Sequence, residues 1–261
     1  MKTIIMAAPN GARHNKADHP KLPVTINETI EASQACLAAG ASIVHAHVRD
    51  REQRHVLDVG LYRELMQAFN QSCHGVLQLT TEAVGRYSPQ AQFEVLSACQ
   101  PEMISVAYRE ISQDSAITKR FYGLAQEQKT HVQTIVYSLE DLQTFCASEY
   151  ASSHVLVVFG RYGAMRASVD DVLPFIPYLN SENAFCCAFG DREQAVLTMA
   201  ANAGAHCRVG FENNLKTANG GLAADNAAQV ASLAASLRTA DHDIATVQDA
   251  RDWLAASLNS V

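Results

Sequence analysis

The sequence lacks several signals that mark common protein classes. None of its seven cysteines belongs to a Cys-x-x-Cys pair, which argues against a zinc ribbon or a redox motif. No Gly-x-Gly-x-x-Gly fingerprint follows the first apolar segment. No apolar run approaches the roughly 18 residues of a membrane-spanning helix, and the stretch before Pro9 is too short for a signal peptide. We therefore expect a cytoplasmic protein with buried, reduced cysteines and no membrane partner.

The composition is that of a globular enzyme. The 261 residues are 48% hydrophobic and 18% charged, which argues against disorder and suits one large domain or two small ones. Lys and Arg number 20 against 27 Asp and Glu, giving a net charge of −7. Because nucleic-acid binding depends on an excess of basic groups, a nucleic-acid partner is not expected.

Short apolar or β-branched segments alternate with amphipathic segments along the chain. We predict eight strands, at Thr3–Ala8, Ser42–Val48, Gly75–Thr81, Met103–Tyr108, His131–Tyr137, His154–Gly160, Asn183–Gly190 and Cys207–Glu212. We predict nine helices, at Ile26–Ala39, Leu61–Phe69, Ser88–Cys99, Ala116–Gln128, Leu139–Ser148, Val169–Leu179, Arg192–Ala203, Asp225–Arg238 and Val247–Leu258. Thr25 and Glu28 form a capping-box pattern at the start of the first helix.

This alternation predicts right-handed βαβ units and a parallel sheet. Eight units in 261 residues match a closed (β/α)₈ TIM barrel, an α/β fold, with one domain spanning residues 1–261 and ending in C-terminal helices. A doubly wound open sheet is the alternative, weakened by the missing glycine fingerprint. In such barrels the catalytic groups lie at the C-terminal ends of the strands.

His45 and His47 are two residues apart on the second predicted strand, so their side chains project to the same side. Two imidazoles that converge near a strand end are typical of a transition-metal site. The alternative is a pair of hydrogen-bonded histidines in the barrel wall.

The last predicted strand adds a possible third ligand. Arg208, Gly210 and Glu212 alternate and so share one face, where an unpaired buried charge would be costly. The second and eighth strands both flank the first in a closed barrel, so Glu212 can approach the two histidines. A His₂Glu set leaves coordination positions open for substrate on zinc. A purely structural Arg208–Glu212 ion pair is the alternative.

Several segments, in the same order along the chain as in a known family, give the sequence a family resemblance. They are Ala8–Arg13, Lys16–Thr25, Ala38–Asp50, Gln78–Thr81, Pro101–Met103, Arg208–Asn214 and Ala224–Asn226. Together they cover nearly the whole chain, and they resemble the β-keto acid cleavage enzymes, of which the 3-keto-5-aminohexanoate cleavage enzyme is the best-known member.

The resemblance implies a TIM barrel with one divalent metal, usually zinc, commonly assembled as a homotetramer. It also implies condensation of a β-keto acid with acetyl-CoA as co-substrate, giving acetoacetate and a new acyl-CoA. By resemblance, the metal ligands would be His45, His47 and Glu212, and Arg208 would be an active-site arginine. Polar positions that hold the keto acid match Thr80, Thr81 and Ser105.

Arg13 suggests the character of the substrate's distal end. In the family member that cleaves the aminohexanoate, the matching position is a glutamate that contacts the substrate's amine. A guanidinium there predicts an anionic tail, because Arg binds carboxylates bidentately. Pairing of Arg13 with an acidic residue on the rim is the alternative.

The chain also departs from the family pattern. Asn213 stands where the family has a catalytic aspartate, and Ile135 stands where the family has a glutamate. The pair of glycines that the family has after the third strand is replaced here by Glu-Ala-Val-Gly, residues 82–85.

We favour a solvated loop charge for Glu82, and a substitute for the missing carboxylate is the alternative. Tyr108, Arg109, Arg161 and Tyr162 follow strand ends, where we favour an ordinary exposed rim, and binding of CoA phosphates or substrate is the alternative. Two further hypotheses stay open. One is a hydrolase in which the metal activates water, and the other is a metal-bearing pseudoenzyme or small-molecule sensor, which Asn213 and Ile135 suggest.

Overall fold

The computed structural model describes residues 2–151, 154–163, 166–179 and 183–258. Eight parallel strands pair in sequence order and close between the first and the last, which confirms the TIM barrel. The strands are β1 Ile5–Ala7, β2 Ile43–Ala46, β3 Val76–Thr80, β4 Met103–Ala107, β5 His131–Val136, β6 His154–Phe159, β7 Ala184–Ala188 and β8 His206–Val209.

Helices surround the barrel and connect successive strands. They are α1 Ile26–Ala38, α2 Val59–Ser72, α3 Pro89–Cys99, α4 Tyr108–Ile111, α5 Ser115–Gln128, α6 Leu139–Cys146, a 3₁₀ helix Val169–Phe175 that continues as α7 Ile176–Leu179, α8 Glu193–Asn202, α9 Asn226–Thr239 and α10 Val247–Leu258. The capping box predicted for α1 is present, since Thr25 Oγ1 accepts from the Glu28 N–H and Glu28 accepts from the Thr25 N–H. Such caps satisfy the N–H groups that a first turn leaves unpaired.

The strands end earlier than the sequence predicts, and this changes where the site residues lie. His47 follows the end of β2, and Glu212 lies in the turn after β8 rather than on the strand. The expected common strand face of Arg208 and Glu212 is therefore wrong. Gly210 makes the difference, because its φ of +148° and its close approach to the Ala8 carbonyl exclude a side chain and turn the chain.

Two other segments differ from the sequence expectation. Tyr108 begins the short helix α4 instead of ending a strand, and the predicted helix Val169–Leu179 starts as a 3₁₀ helix containing Pro174. Proline lacks an N–H and disfavours a regular α-helix at this point. Within the described ranges, no helix combines the length and apolarity needed to cross a membrane.

The C-terminal helix α10 packs beneath the N-terminal end of the barrel. The Trp253 ring lies 4.3 Å from the His154 ring and 5.6 Å from the Phe185 ring, measured between centroids. His154 and His206 are the first residues of β6 and β8. The opposite, C-terminal end of the barrel is left for the site.

Candidate metal centre and active site

Three buried side chains converge at the C-terminal end of the barrel. His45 Nε2 lies 3.1 Å from His47 Nε2 and 3.3 Å from Glu212 Oε2, and His47 Nε2 lies 3.7 Å from the same oxygen. All three residues are less than 9% exposed. The structure therefore brings together the three residues that the sequence predicts as metal ligands.

Their spacing and bonding fit a divalent metal. Ligands of a tetrahedral zinc at about 2.0–2.1 Å are themselves roughly 3.3 Å apart, close to the separations found here. Glu212 Oε2 is buried and, among the described residues, accepts no hydrogen bond. A buried carboxylate oxygen left in this state, facing two imidazole nitrogens, needs a cation.

Hydrogen bonds from β3 and from the loop after β2 orient the two imidazoles. His45 Nδ1 donates to Gln78 Oε1 over 2.7 Å, and Gln78 Nε2 donates to Gln133 Oε1 over 3.2 Å. His47 Nδ1 lies 3.3 Å from His55 Nδ1. Because Nδ1 of His45 carries its proton, Nε2 presents a lone pair to the centre.

Burial keeps these histidines neutral. It lowers the pKa of His45 to about 3 and that of His47 well below its usual value. A neutral imidazole is the form that binds a metal.

The loop after β1 fixes the positions of His47 and Glu212. The Asn10 side chain pairs with the His47 backbone in both directions, accepting from its N–H over 3.1 Å and donating to its carbonyl over 3.0 Å. Gly11 has a φ of +62° and lies against the Glu212 side chain, where a Cβ would overlap. Glycine is thus required at this position for Glu212 to reach the histidines.

Arg208 lies beside the candidate metal centre with unsatisfied donors. Its Nη2 donates to Glu212 Oε1 over 3.2 Å, so the two oxygens of Glu212 are divided between the arginine and the histidines. Although burial disfavours its charge, the Glu212 carboxylate raises the pKa of Arg208. Its Nε and Nη1 are buried and make no hydrogen bond with the described residues. These N–H groups are suited to bind an anionic ligand.

A cavity of about 350 Å³ lies above these residues. Its wall includes four arginines, Arg13, Arg109, Arg161 and Arg208. The Arg109 guanidinium lies 3.8 Å from the centroid of the Tyr137 ring, and that of Arg13 lies 5.0 Å from the Tyr162 ring. Within the described ranges, Arg13 has no carboxylate oxygen within 4.0 Å, so the rim ion pair considered from the sequence is not formed.

The other predicted site residues do not all lie at the cavity. Thr80 lines the cavity, and the buried Ser105 opposite it on β4 leaves its hydroxyl without a partner among the described residues. Thr81 points elsewhere, since its hydroxyl donates to the Ser105 carbonyl over 2.9 Å. Asn213 lines a neighbouring groove instead of the cavity, and both its amide atoms are buried without a partner in the described ranges.

Two features that sequence reasoning set aside belong to the cavity. Glu82 is not a solvated loop charge, because its side chain lines the cavity with an oxygen 3.9 Å from His47 Nδ1. Burial and the carboxylates of Glu212 and Glu110 raise the pKa of Glu82 to about 8. Arg109 and Arg161 are exposed, as expected, but together with the half-buried Tyr162 they also line the cavity, so these three residues are not merely an ordinary rim. The sequence signal that could have placed these residues in the cavity is their position just after strand ends, where TIM barrels carry their active sites.

Tyr108, the fourth residue of the expected rim, has a different place. Its ring packs against Phe145 with centroids 5.4 Å apart, at the edge of the hydrophobic core.

The chain is similar in sequence to the proteins of one enzyme family. Residues 2–255 match the family model described as beta-keto acid cleavage enzyme. A 3-oxoadipate:acetyl-CoA acetyltransferase of Cupriavidus necator is 27% identical, over 96% of this chain and 94% of that protein. A 3-keto-5-aminohexanoate cleavage enzyme of Acetoanaerobium sticklandii is 26% identical, over 98% and 99%.

A solved structure supports the fold. The complex of ObcA with oxaloacetate superposes with a TM-score of 0.73 at 16% identity, covering 90% of this chain and 67% of that one. Because the family model spans nearly the whole sequence, the chain belongs to the beta-keto acid cleavage enzyme family.

Proposed function

We propose that this protein is a zinc-dependent enzyme that condenses a β-keto acid bearing an anionic tail with acetyl-CoA, giving acetoacetate and a new acyl-CoA. The observation that carries the proposal is the buried set His45, His47 and Glu212 beside Arg208, at the base of a cavity ringed by arginines. The acetyl-CoA-dependent relative acting on 3-oxoadipate supports the reaction type.

The site offers the groups that a keto acid needs. A divalent metal held by the three ligands would polarise the keto and carboxylate oxygens and so acidify the protons on C2. The unpaired N–H groups of Arg208 bind the substrate carboxylate, with the Thr80 and Ser105 hydroxyls on the adjoining strands. Burial of these donors strengthens their interaction with negative charge.

Glu82 is the carboxylate best placed to take the C2 proton. Asn213 and Ile135 carry no carboxylate, and the cavity's other acidic residues are already engaged. Glu212 faces Arg208 and the histidines, and Glu110 accepts from the Ala83 N–H over 3.1 Å. The Glu82 carboxylate makes no hydrogen bond with the described residues, and a divalent cation at the adjacent candidate centre would lower its raised pKa and favour the ionised form that accepts a proton.

The anionic tail is supported by the cations at the cavity mouth. Arg13 and Arg109 both line the cavity, lie over tyrosine rings and have no carboxylate partner within 4.0 Å in the described ranges. Stacking restricts each guanidinium without neutralising it. A distal carboxylate would complete their interactions, whereas an amine would be repelled.

Three six-carbon substrates of different tail charge test the proposal. We would supply acetyl-CoA with 3-oxoadipate, neutral 3-oxohexanoate or 3-keto-5-aminohexanoate, and measure acetoacetate. We expect kcat/KM to be about tenfold or more higher for 3-oxoadipate than for the neutral acid. Arg13→Gln and Arg109→Gln should reduce this preference.

Each contrary outcome has a distinct meaning. A preference for the amine would contradict the anionic tail. Product release without acetyl-CoA would favour a hydrolase, and no turnover of any β-keto acid would favour a metal-bearing protein without the family activity. Restoring the family carboxylate in Asn213→Asp would then test whether the asparagine is responsible.

A further inference from the structure

A second, open groove adjoins the central cavity on the side of the loops that follow β1, β2 and β3. It encloses about 580 Å³ and shares Arg13 and Val84 with the cavity. The groove and the cavity are therefore adjacent, with Arg13 and Val84 on their common border. Val84 lies in a turn with a φ of +47°, which is unusual for a β-branched residue and places it between the two spaces.

The groove is strongly basic. Its wall carries five cations and one carboxylate, namely Arg13, Lys16, Arg49, Arg54 and Arg86 against Glu52. Two of the cations are neutralised, because Lys16 lies 2.7 Å from a Glu28 oxygen and Arg54 lies 2.9 Å from an Asp50 oxygen. In the described ranges, the remaining three arginines have no carboxylate oxygen within 4.0 Å.

Backbone carbonyls hold two of these arginines in place. Arg49 donates to the Gly11 carbonyl over 2.7 Å and to the Gln53 carbonyl over 2.9 Å, and it is 9% exposed. Its Nε is buried with no hydrogen-bond partner among the described residues. Arg86 donates to the His55 carbonyl. Carbonyl oxygens fix a guanidinium without cancelling its charge, so these groups remain able to bind an anion.

We propose that this groove binds the phosphate groups of the CoA thioester, so that the acyl end reaches the central cavity past Arg13 and Val84. The inference rests on the proposed function, which makes a CoA thioester the second substrate. Arginines without carboxylate partners match the several negative charges of CoA, since guanidinium groups bind phosphate bidentately. In a chain with a net charge of −7, such a local positive surface is needed to attract an anionic co-substrate.

A groove on the opposite side of the cavity is the rival location. It is lined by Arg161, Arg166, Lys216 and Asn213, among others, and joins the cavity at Tyr162 and Phe189. Arg166 is paired there with Asp191 at 3.0 Å. Two cations of this groove, Arg161 and Lys216, have no carboxylate oxygen within 4.0 Å in the described ranges, against three in the first groove. It is therefore the weaker anion site, and the paired Arg166 provides a matched control residue.

The test compares Arg86→Gln with Arg166→Gln, both replacing an exposed arginine outside the metal centre. Binding of free CoA to the zinc-loaded protein is measured by calorimetry, and circular dichroism and zinc content confirm an intact fold. We expect Arg86→Gln to weaken CoA binding by about five- to tenfold, as befits one charge-assisted hydrogen bond, and Arg166→Gln to leave it unchanged. The KM for acetyl-CoA should rise in parallel, whereas the KM for acetyl-pantetheine, which lacks the phosphates of the nucleotide, should not.

The outcomes separate this inference from the proposed function. Unchanged CoA binding in Arg86→Gln, a loss confined to Arg166→Gln, or no CoA binding by the unmodified protein would overturn the groove assignment. CoA binding that depends on Arg86 without acetoacetate formation would uphold the groove and reject the proposed reaction. Acetoacetate formation with an unaltered KM for acetyl-CoA in Arg86→Gln would uphold the proposed reaction and reject the groove.

Discussion

Single atoms decide the chemistry of the candidate metal centre. Because His45 and His47 present their Nε2 atoms to one oxygen of Glu212, we expect His45→Ala and His47→Ala each to lose bound zinc. His74→Ala changes an exposed histidine and serves as the control. The measurement is the zinc content per protein, determined by elemental analysis after dialysis against zinc and then against zinc-free buffer. Full occupancy in both site variants would show that the ligand assignment is wrong.

Glu82 supports a separate prediction at this scale. Glu82→Gln keeps the shape of the side chain but removes the proton acceptor, so we expect kcat to fall by about 10² to 10⁴ with zinc content unchanged. Glu52→Gln, on the exposed rim of the neighbouring groove, is a control for the loss of one negative charge. A Glu82→Gln variant with normal kcat would reassign proton transfer to another group.

The sequence predicted which residues converge at the candidate metal centre better than it predicted the cavity wall, for a physical reason. The i, i+2 spacing of His45 and His47 predicted that their side chains lie together, and they do, although His47 follows the end of β2. Glu82 and Arg109 lie in a turn and a short helix after strand ends, where no period applies. Their directions depend on neighbours distant in sequence, such as Tyr137 beneath Arg109. The i, i+2 argument also fails for Glu212, which reaches the histidines from a turn.

At the scale of elements, alternation of strands and helices was enough to predict the barrel. Seven strands lie within their predicted segments, and β8 begins one residue before its segment. Every strand is shorter than predicted, mainly because its last predicted residues lie beyond the end of the strand. The start of α1 was predictable because the polar cap Thr25 precedes it, whereas Asp225, expected to be the first residue of its helix, is the cap of α9. The packing of α10 beneath the barrel was not, since the sequence of an amphipathic helix shows which face is buried but not its partner.

Helix α10 therefore offers a prediction about stability. Trp253 is half-buried against His154 and Phe185, so Trp253→Ala should lower the free energy of unfolding by about 2–3 kcal/mol, less than a fully buried Trp would. Because this end of a TIM barrel serves stability, kcat/KM at a temperature where the variant is folded should stay within about twofold. Trp253→Phe should retain most of the stability. Urea unfolding and steady-state kinetics measure the two effects, and a loss of activity at unchanged stability would contradict the prediction.

For the molecule as a whole, the distribution of charge matters more than its sum. A net charge of −7 would repel keto acids and CoA, yet the cavity and its adjoining groove are lined by arginines. Field lines from such a recess attract anions locally even when the remaining surface is acidic. Both proposed anionic substrates are thereby directed to one end of the barrel, where the candidate metal ligands lie.

The opposite end of the barrel determines how the whole molecule responds to acid. Burial, reinforced by nearby His131 and His206, lowers the pKa of His154 from 6.5 to about 3. His154 is therefore protonated below about pH 6.5 in the unfolded chain, but only below about pH 3 in the folded chain. Stability from the neutral histidine is complete above pH 6.5 and is lost progressively as the pH falls through this window.

At pH 5.5 this single group should cost about 1.4 kcal/mol of unfolding free energy relative to pH 7.5. His154→Gln removes the titration, so its loss of stability between pH 7.5 and 5.5 should be smaller than that of the unmodified protein by about this amount. His74→Gln, at an exposed position, should not alter the difference. Urea unfolding of the metal-free proteins at both pH values measures it without protons competing for the candidate zinc ligands. Equal losses in the unmodified protein and His154→Gln would mean that the His154 imidazole is protonated in the folded state, and that the lower end of the barrel admits water.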